Sequence, residues 1–186
     1  MGYGTAVALL AASLATSCTQ DTGRRQTASM DGASASPERS APLPQFSDFS
    51  VSDTGAITPA LINFDNDTLA RRFRTVLREG ARRGPNFAGH FTIVTWGCGS
   101  SCQMTAVVDA RTGHVFQPWI QTMIRADYRQ NSMLFIADPP DSARAAFGEL
   151  ARSEDCAVCG TPAAYAWRGD HFEPVGRGEH PHILHY

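Results

Sequence analysis

The sequence predicts an α+β domain: an antiparallel meander of about five or six strands with helices packed on one face, carried behind a disordered tether. Three observations lead there. Phe91 to Trp96 is β-branched and aromatic, and Gln103 to Asp109 alternates apolar and polar residues, so the two should form a hairpin around the glycine- and cysteine-containing loop between them. A segment opening at Asn66 repeats apolar residues at helical spacing. Ahead of both, Thr19 to about Pro44 is Ser, Thr, Ala, Pro, Gln and Asp with almost no large apolar residue, too little to offset the entropy of ordering it.

In chain order, Met1 to Ser17 is an apolar and small-residue run, shorter than the roughly 20 residues of a permanent membrane span, and it reads as a signal peptide. It ends in Leu14-Ala15-Thr16-Ser17-Cys18, which resembles the lipobox cleaved ahead of the lipidated cysteine in bacterial lipoproteins. The organisation expected is a signal peptide over 1–17, a lipidated Cys18 with a flexible linker over 18–45, and one globular domain over 46–186. Thr19 in place of Asp after the cysteine is similar to the outer-membrane sorting signal of Gram-negative bacteria. The competing readings are plain secretion, with cleavage near Ala15 or Ser17, and a buried N-terminal helix.

Asn66-Asp67-Thr68 offers N-caps to a helix whose Leu69, Phe73, Val76 and Leu77 share one face, and Gly80 or Gly84 with Pro85 should stop it. Arg71, Arg72, Arg74, Arg78, Arg82 and Arg83 occupy the remaining positions; a solvated face is favoured over an anion- or partner-binding patch. Cys98 and Cys102 bound the hairpin loop, and Gly97 and Gly99 supply the backbone freedom of a short connection. Asp109-Ala110-Arg111-Thr112-Gly113 turns the chain into His114-Val115-Phe116. A strand over Ser132 to Ala137, a short helix over Asp141 to Leu150, and a hairpin around Arg168-Gly169-Asp170 complete the domain.

The run from Asn86-Phe87-Ala88-Gly89-His90 through Trp96-Gly97-Cys98-Gly99-Ser100-Ser101-Cys102, followed by the Asp109 to Gly113 turn, resembles a group of uncharacterised secreted or periplasmic bacterial proteins. The resemblance covers roughly Asn86 to Phe116. It implies an envelope location and a shared fold, and it brings no activity with it.

Composition narrows the chemistry. A formal net charge of −2 and a pI near 6.3 do not fit a nucleic-acid partner. All basic residues are Arg, which excludes a Lys nucleophile, a Lys Schiff base and a P-loop lysine. There is no G-x-S-x-G, H-E-x-x-H or Walker A sequence, and the spacing does not favour a triad of Ser100 or Ser101 with His90 and Asp109. No catalytic residue, metal or cofactor is assigned. His180, His182 and His185 are a conceivable metal cluster, with a frayed terminus the commoner explanation.

Besides Cys18 there are Cys98, Cys102, Cys156 and Cys159, which allow three disulfide connectivities. The local pairs are favoured in an oxidising compartment, over a four-thiolate zinc site and a Cys-x-x-Cys redox pair. The function expected is a binding or structural module acting through the stapled loop, with Trp96, Gly97, Gly99, Ser100, Ser101 and His90 as the binding residues. Its partners would be the membrane, through Cys18, and an envelope protein or cell-wall component. One alternative rests on topology: helix, strand, Cys-bounded loop, strand and hairpin is similar to the periplasmic inhibitors of vertebrate-type lysozyme, although only Gly99, Ser100 and Ser101 lie between the cysteines here. A metal-binding or enzymatic module using His90 or the C-terminal histidines is the second.

Overall fold

The computed structural model describes residues 42–64, 68–118, 120–152 and 156–176. The expected signal segment, Cys18, most of the expected linker, the expected caps Asn66 and Asp67, and the C-terminal histidines lie outside the described residues.

Alternation along the central hairpin sets the layers. Strands β1 (Phe91–Gly99) and β2 (Cys102–Asp109) pair antiparallel from Phe91 opposite Asp109 to Gly97 opposite Gln103. Successive side chains point to opposite faces. Phe91, Ile93 and Val107 therefore enter one core, and Val94, Trp96, Ala106 and Val108 enter another. β3 (Val115–Phe116) and β4 (Gln121–Thr122) both pair with β2 and complete a four-stranded sheet.

A second antiparallel sheet runs β5 (Ala126–Tyr128), β6 (Leu134–Ala137), β7 (Ala163–Trp167) and β8 (Phe172–Pro174). Its Phe135, Tyr165, Trp167 and Phe172 meet Phe87, Phe91 and Ile93 in an aromatic core between the sheets. The α+β class is therefore as expected, with eight strands among the described residues split into two sheets instead of one meander. The additional strands, β4 and β5, are two and three residues long, too short to show a period in the sequence.

The predicted helix forms as two pieces, α1 (Thr68–Arg72) and α2 (Arg74–Ala81), broken at Phe73 where ψ reaches 18°. Ala70, Phe73, Leu77 and Ala81 pack on the Val94 and Val108 side of the first sheet, while Leu69 is only half-buried. Gly80 does not stop the helix; it lies inside α2, where a Cβ would meet the Val94 methyls at 2.6 Å. Gly84 ends the turn that follows, at φ 83°. A third helix, α3 (Pro140–Phe147), continues as a 3₁₀ turn over Gly148–Arg152. On the outer face of the second sheet, Leu43, Phe46 and Phe49 cover Leu134, Ile136 and Ala164, so ordered packing begins a few residues ahead of the expected boundary at 46.

The base of the hairpin explains the densest motif in the sequence. The Asn86 side chain accepts from Ile93 N at 2.7 Å and donates to Ile93 O at 3.1 Å, capping the edge of β1 that no described strand pairs. Phe87 is fully buried. Ala88 and Gly89 take φ 42° and 83°, their amides donating to Ser132 O and Gln130 O, and a Cβ on Gly89 would lie 2.5 Å from the Asp53 carbonyl. Only glycine fits there. The Asp109 carboxylate accepts from Arg111 N at 2.8 Å and from the Thr112 hydroxyl at 2.9 Å, closing the next turn. Both motifs are thus corners of the fold.

Candidate functional site

The tip of the hairpin is built differently. Ladder register breaks between Gly97 and Gly99, leaving Cys98 out of the pairing, and a disulfide joins Cys98 to Cys102 across a Cα separation of 5.1 Å. Gly97 through Ser100 are exposed. Gly99 takes φ 145°, the role foreseen for it, but Gly97 keeps ordinary strand geometry. The second left-handed position falls on Ser101, at φ 48°. A non-glycine residue there is held by the closure on either side, at a cost of about 1–2 kcal/mol.

A second disulfide joins Cys156 to Cys159 with a Cα separation of 5.4 Å, the pairing favoured from the sequence. Cys102 and Cys156, distant in sequence, line one groove of about 440 Å³. Ser101, Gln121 and Thr161 supply its polar lining and Met123 and Ala157 its apolar one. A second hollow of about 370 Å³ at the tip shares Ser101, Cys102 and Met123 with it. No ionised side chain lines either hollow. The Thr122 hydroxyl, fully buried at the groove wall, has no partner among the described residues.

What fixes the groove is a buried carboxylate. Asp138, with no solvent exposure, accepts from Met123 N at 2.9 Å and Ile124 N at 2.7 Å, tying the segment after β4 to the end of β6. Gly160, at φ 66°, lies against the same carboxylate, where a Cβ would come within 2.4 Å of it. The Cys156–Cys159 loop is thereby pressed onto the group that orders the opposite wall. Tyr165 is pushed up to about 12, by burial first and by the Asp138 charge second, so its phenol stays neutral across the physiological range. Sequence reasoning missed Asp138, because a lone Asp before two prolines reads as a turn residue.

Of the residues assigned to binding, Gly97, Gly99, Ser100 and Ser101 stand together at the tip. Trp96 is half-buried: its ring packs 4.8 Å from Phe73 beneath the helices, and it also lines the 370 Å³ hollow with Gly97, Gly99 and Ser101. It anchors the tip from below. His90 sits at the opposite end of β1, eight strand residues away at about 3.3 Å each, or roughly 25 Å from the loop. Its Nε2 lies 3.8 Å from Asp109 Oδ1 and its ring stacks on Phe91. Ser100 and Ser101 therefore do not meet His90 and Asp109 in a triad. The four thiols a tetrahedral zinc site would need are taken up by the disulfides.

A concavity of similar size, about 430 Å³, lies beside His90 and is lined by Val51, Asp53, Phe91 and Trp167 among others. Its other charged groups are satisfied internally, Asp53 by Arg111 and Arg168 by Glu173. No charged side chain lines the tip groove. No family model, curated protein or solved structure matches the chain, so its function is argued from this geometry.

Proposed function

We propose that the chain is a cell-envelope lipoprotein, anchored through Cys18, that binds a partner at the tip of its central hairpin. One observation carries the reading: two disulfide-closed loops from distant parts of the chain border a single groove. A short loop gains only about 2 kcal/mol from a disulfide, so a pair of such staples contributes shape more than stability. A loop held in shape loses less entropy on docking. The lining of hydroxyls, an amide and a thioether favours a neutral, hydrogen-bonding ligand surface, such as an extended polypeptide or a glycan chain of the cell wall.

Two experiments test this. Wild-type protein should incorporate labelled fatty acid and Cys18→Ala should not; an unlabelled wild type removes the anchor. Envelope extract passed over immobilised protein should yield a partner that the Ser100→Arg/Ser101→Glu variant fails to retain, and equal retention would remove the loop. A muramidase assay run alongside separates the inhibitor-like form of this reading from the others.

A further inference from the structure

The arginine-rich segment takes no part in the tip groove. Residues 71–83 carry six arginines against a single acidic residue, Glu79, in a chain whose net charge is −2. All six are exposed, and among the described residues none pairs with a carboxylate. Arg74, Arg78 and the C-cap Arg82 fall at i, i+4 and i+8, one ridge about 12 Å long at 1.5 Å per residue. Arg71 and Arg72 extend it at one end and Arg83 at the other. Two guanidiniums lie over rings, Arg78 at 5.0 Å from Phe64 and Arg72 at 5.9 Å from Phe73.

Beside this ridge stands the most exposed large apolar side chain among the described residues. Leu61 is 93% exposed, while Ile62 and Phe64 next to it pack into the core under the helices. It is no frayed end, because Ala60 N donates to Ala110 O and Asn63 N to Gly113 O on either side of it. Phe64, the ring under Arg78, is three residues on, within about 10 Å even for an extended chain.

We propose that this face docks on an anionic lipid surface, the guanidiniums meeting headgroup phosphates while Leu61 enters the interface. Charges strung along an exposed helix fit an extended array of anions better than one small anion, which would need them gathered around a cleft. A projecting Leu beside basic residues is the composition of an interfacial contact. The proposal rests on the envelope placement above, where a lipid at Cys18 would hold the domain within linker reach of a membrane. Each basic contact is individually weak, roughly fivefold in affinity. A tether raises the effective concentration enough to keep such a face occupied.

The test uses the chain from Thr19 onward, which carries neither the apolar segment 1–17 nor Cys18, so that no leader or lipid anchor contributes, and sedimentation with vesicles of phosphatidylcholine alone or with one-quarter phosphatidylglycerol. Wild-type side chains should bind the anionic vesicles, release in high salt, and bind the neutral ones far less. Arg71→Gln/Arg74→Gln/Arg82→Gln, three arginines that touch no ring, should keep the thermal midpoint and lose on the order of 100-fold in affinity. Leu61→Ser should weaken binding further in the wild-type charge background. Equal binding to both vesicles, salt-insensitive binding by the unsubstituted ridge, or an unweakened triple variant would overturn the proposal. So would capture of the protein by soluble inorganic polyphosphate with no vesicle bound. Because the assay omits the anchor, it can fail while fatty-acid labelling succeeds, and the reverse.

Discussion

The two ends of the β1–β2 hairpin use the same backbone for opposite purposes. At the base, Asn86, Phe87, Gly89, Asp109 and Thr112 are tied to named partners, and even the exposed Asp53 and Arg111 pair with each other. At the tip, Gly97 to Ser100 are exposed, the ladder breaks, and a disulfide does the work that hydrogen bonds do elsewhere. The most motif-like stretch of sequence is thus the part with least left to offer a ligand. A run of special residues marks a place where the backbone is constrained, whether or not chemistry happens there.

The largest effect expected from this contrast is at the base. Phe87 is fully buried and lies against Tyr128, Trp167 and Phe172 at ring separations of 6.3, 6.4 and 5.8 Å. Phe87→Ala should cost about 3–5 kcal/mol in a denaturant titration, as other large-to-small core changes do. A loss below about 1 kcal/mol would mean that the corner is not the keystone of the inter-sheet core.

The intermediate effect is at the staple. Cys98→Ser/Cys102→Ser should lower stability by about 2 kcal/mol or less, since the closed loop is short. Partner binding should fall by more than that loss accounts for, because Ser101 is then free to leave its left-handed conformation. Unchanged binding by the reduced loop would show that rigidity is not what the staple provides.

How much of this was legible in the sequence follows from the range of each interaction. The hairpin and the turn at Asp109 are local and readable from residue type and spacing, whereas the four cysteines leave three pairings open, of which the local ones form. The helix face is as expected, with Phe73, Val76 and Leu77 on the core, but the helix breaks at Phe73 and runs past Gly80, which looks like a stop until Val94 is seen pressed against it. Two sheets in place of one, and the meeting of Cys102 with Cys156, depend on how distant strands pair, which no local pattern carries. His90 was grouped with the loop because it lies close in sequence, yet a strand separates along its length what the chain places nearby.

The smallest effect is the most discriminating. Ser100 is exposed and Ser101 half-buried at the tip, and neither side chain has a hydrogen bond to another described residue. Ser101 already holds φ 48°, a conformation that Glu tolerates about as poorly as Ser, so Ser101→Glu adds little backbone strain. Ser100→Arg/Ser101→Glu should therefore shift stability by less than about 0.5 kcal/mol, the usual range for surface changes that break no such contact. The same pair of substitutions places a large cation and an anion on a rim whose lining carries no ionised group. A neutral partner docking there would have to desolvate two new charged groups and make room for two longer side chains, and its affinity should collapse while the thermal midpoint stays put. If the midpoint falls by several degrees instead, Ser101 is part of the fold in the way Phe87 is, and the division between a structural base and a recognising tip fails. If neither stability nor binding moves, the tip is solvent-facing scaffold and the partner must be sought at another surface.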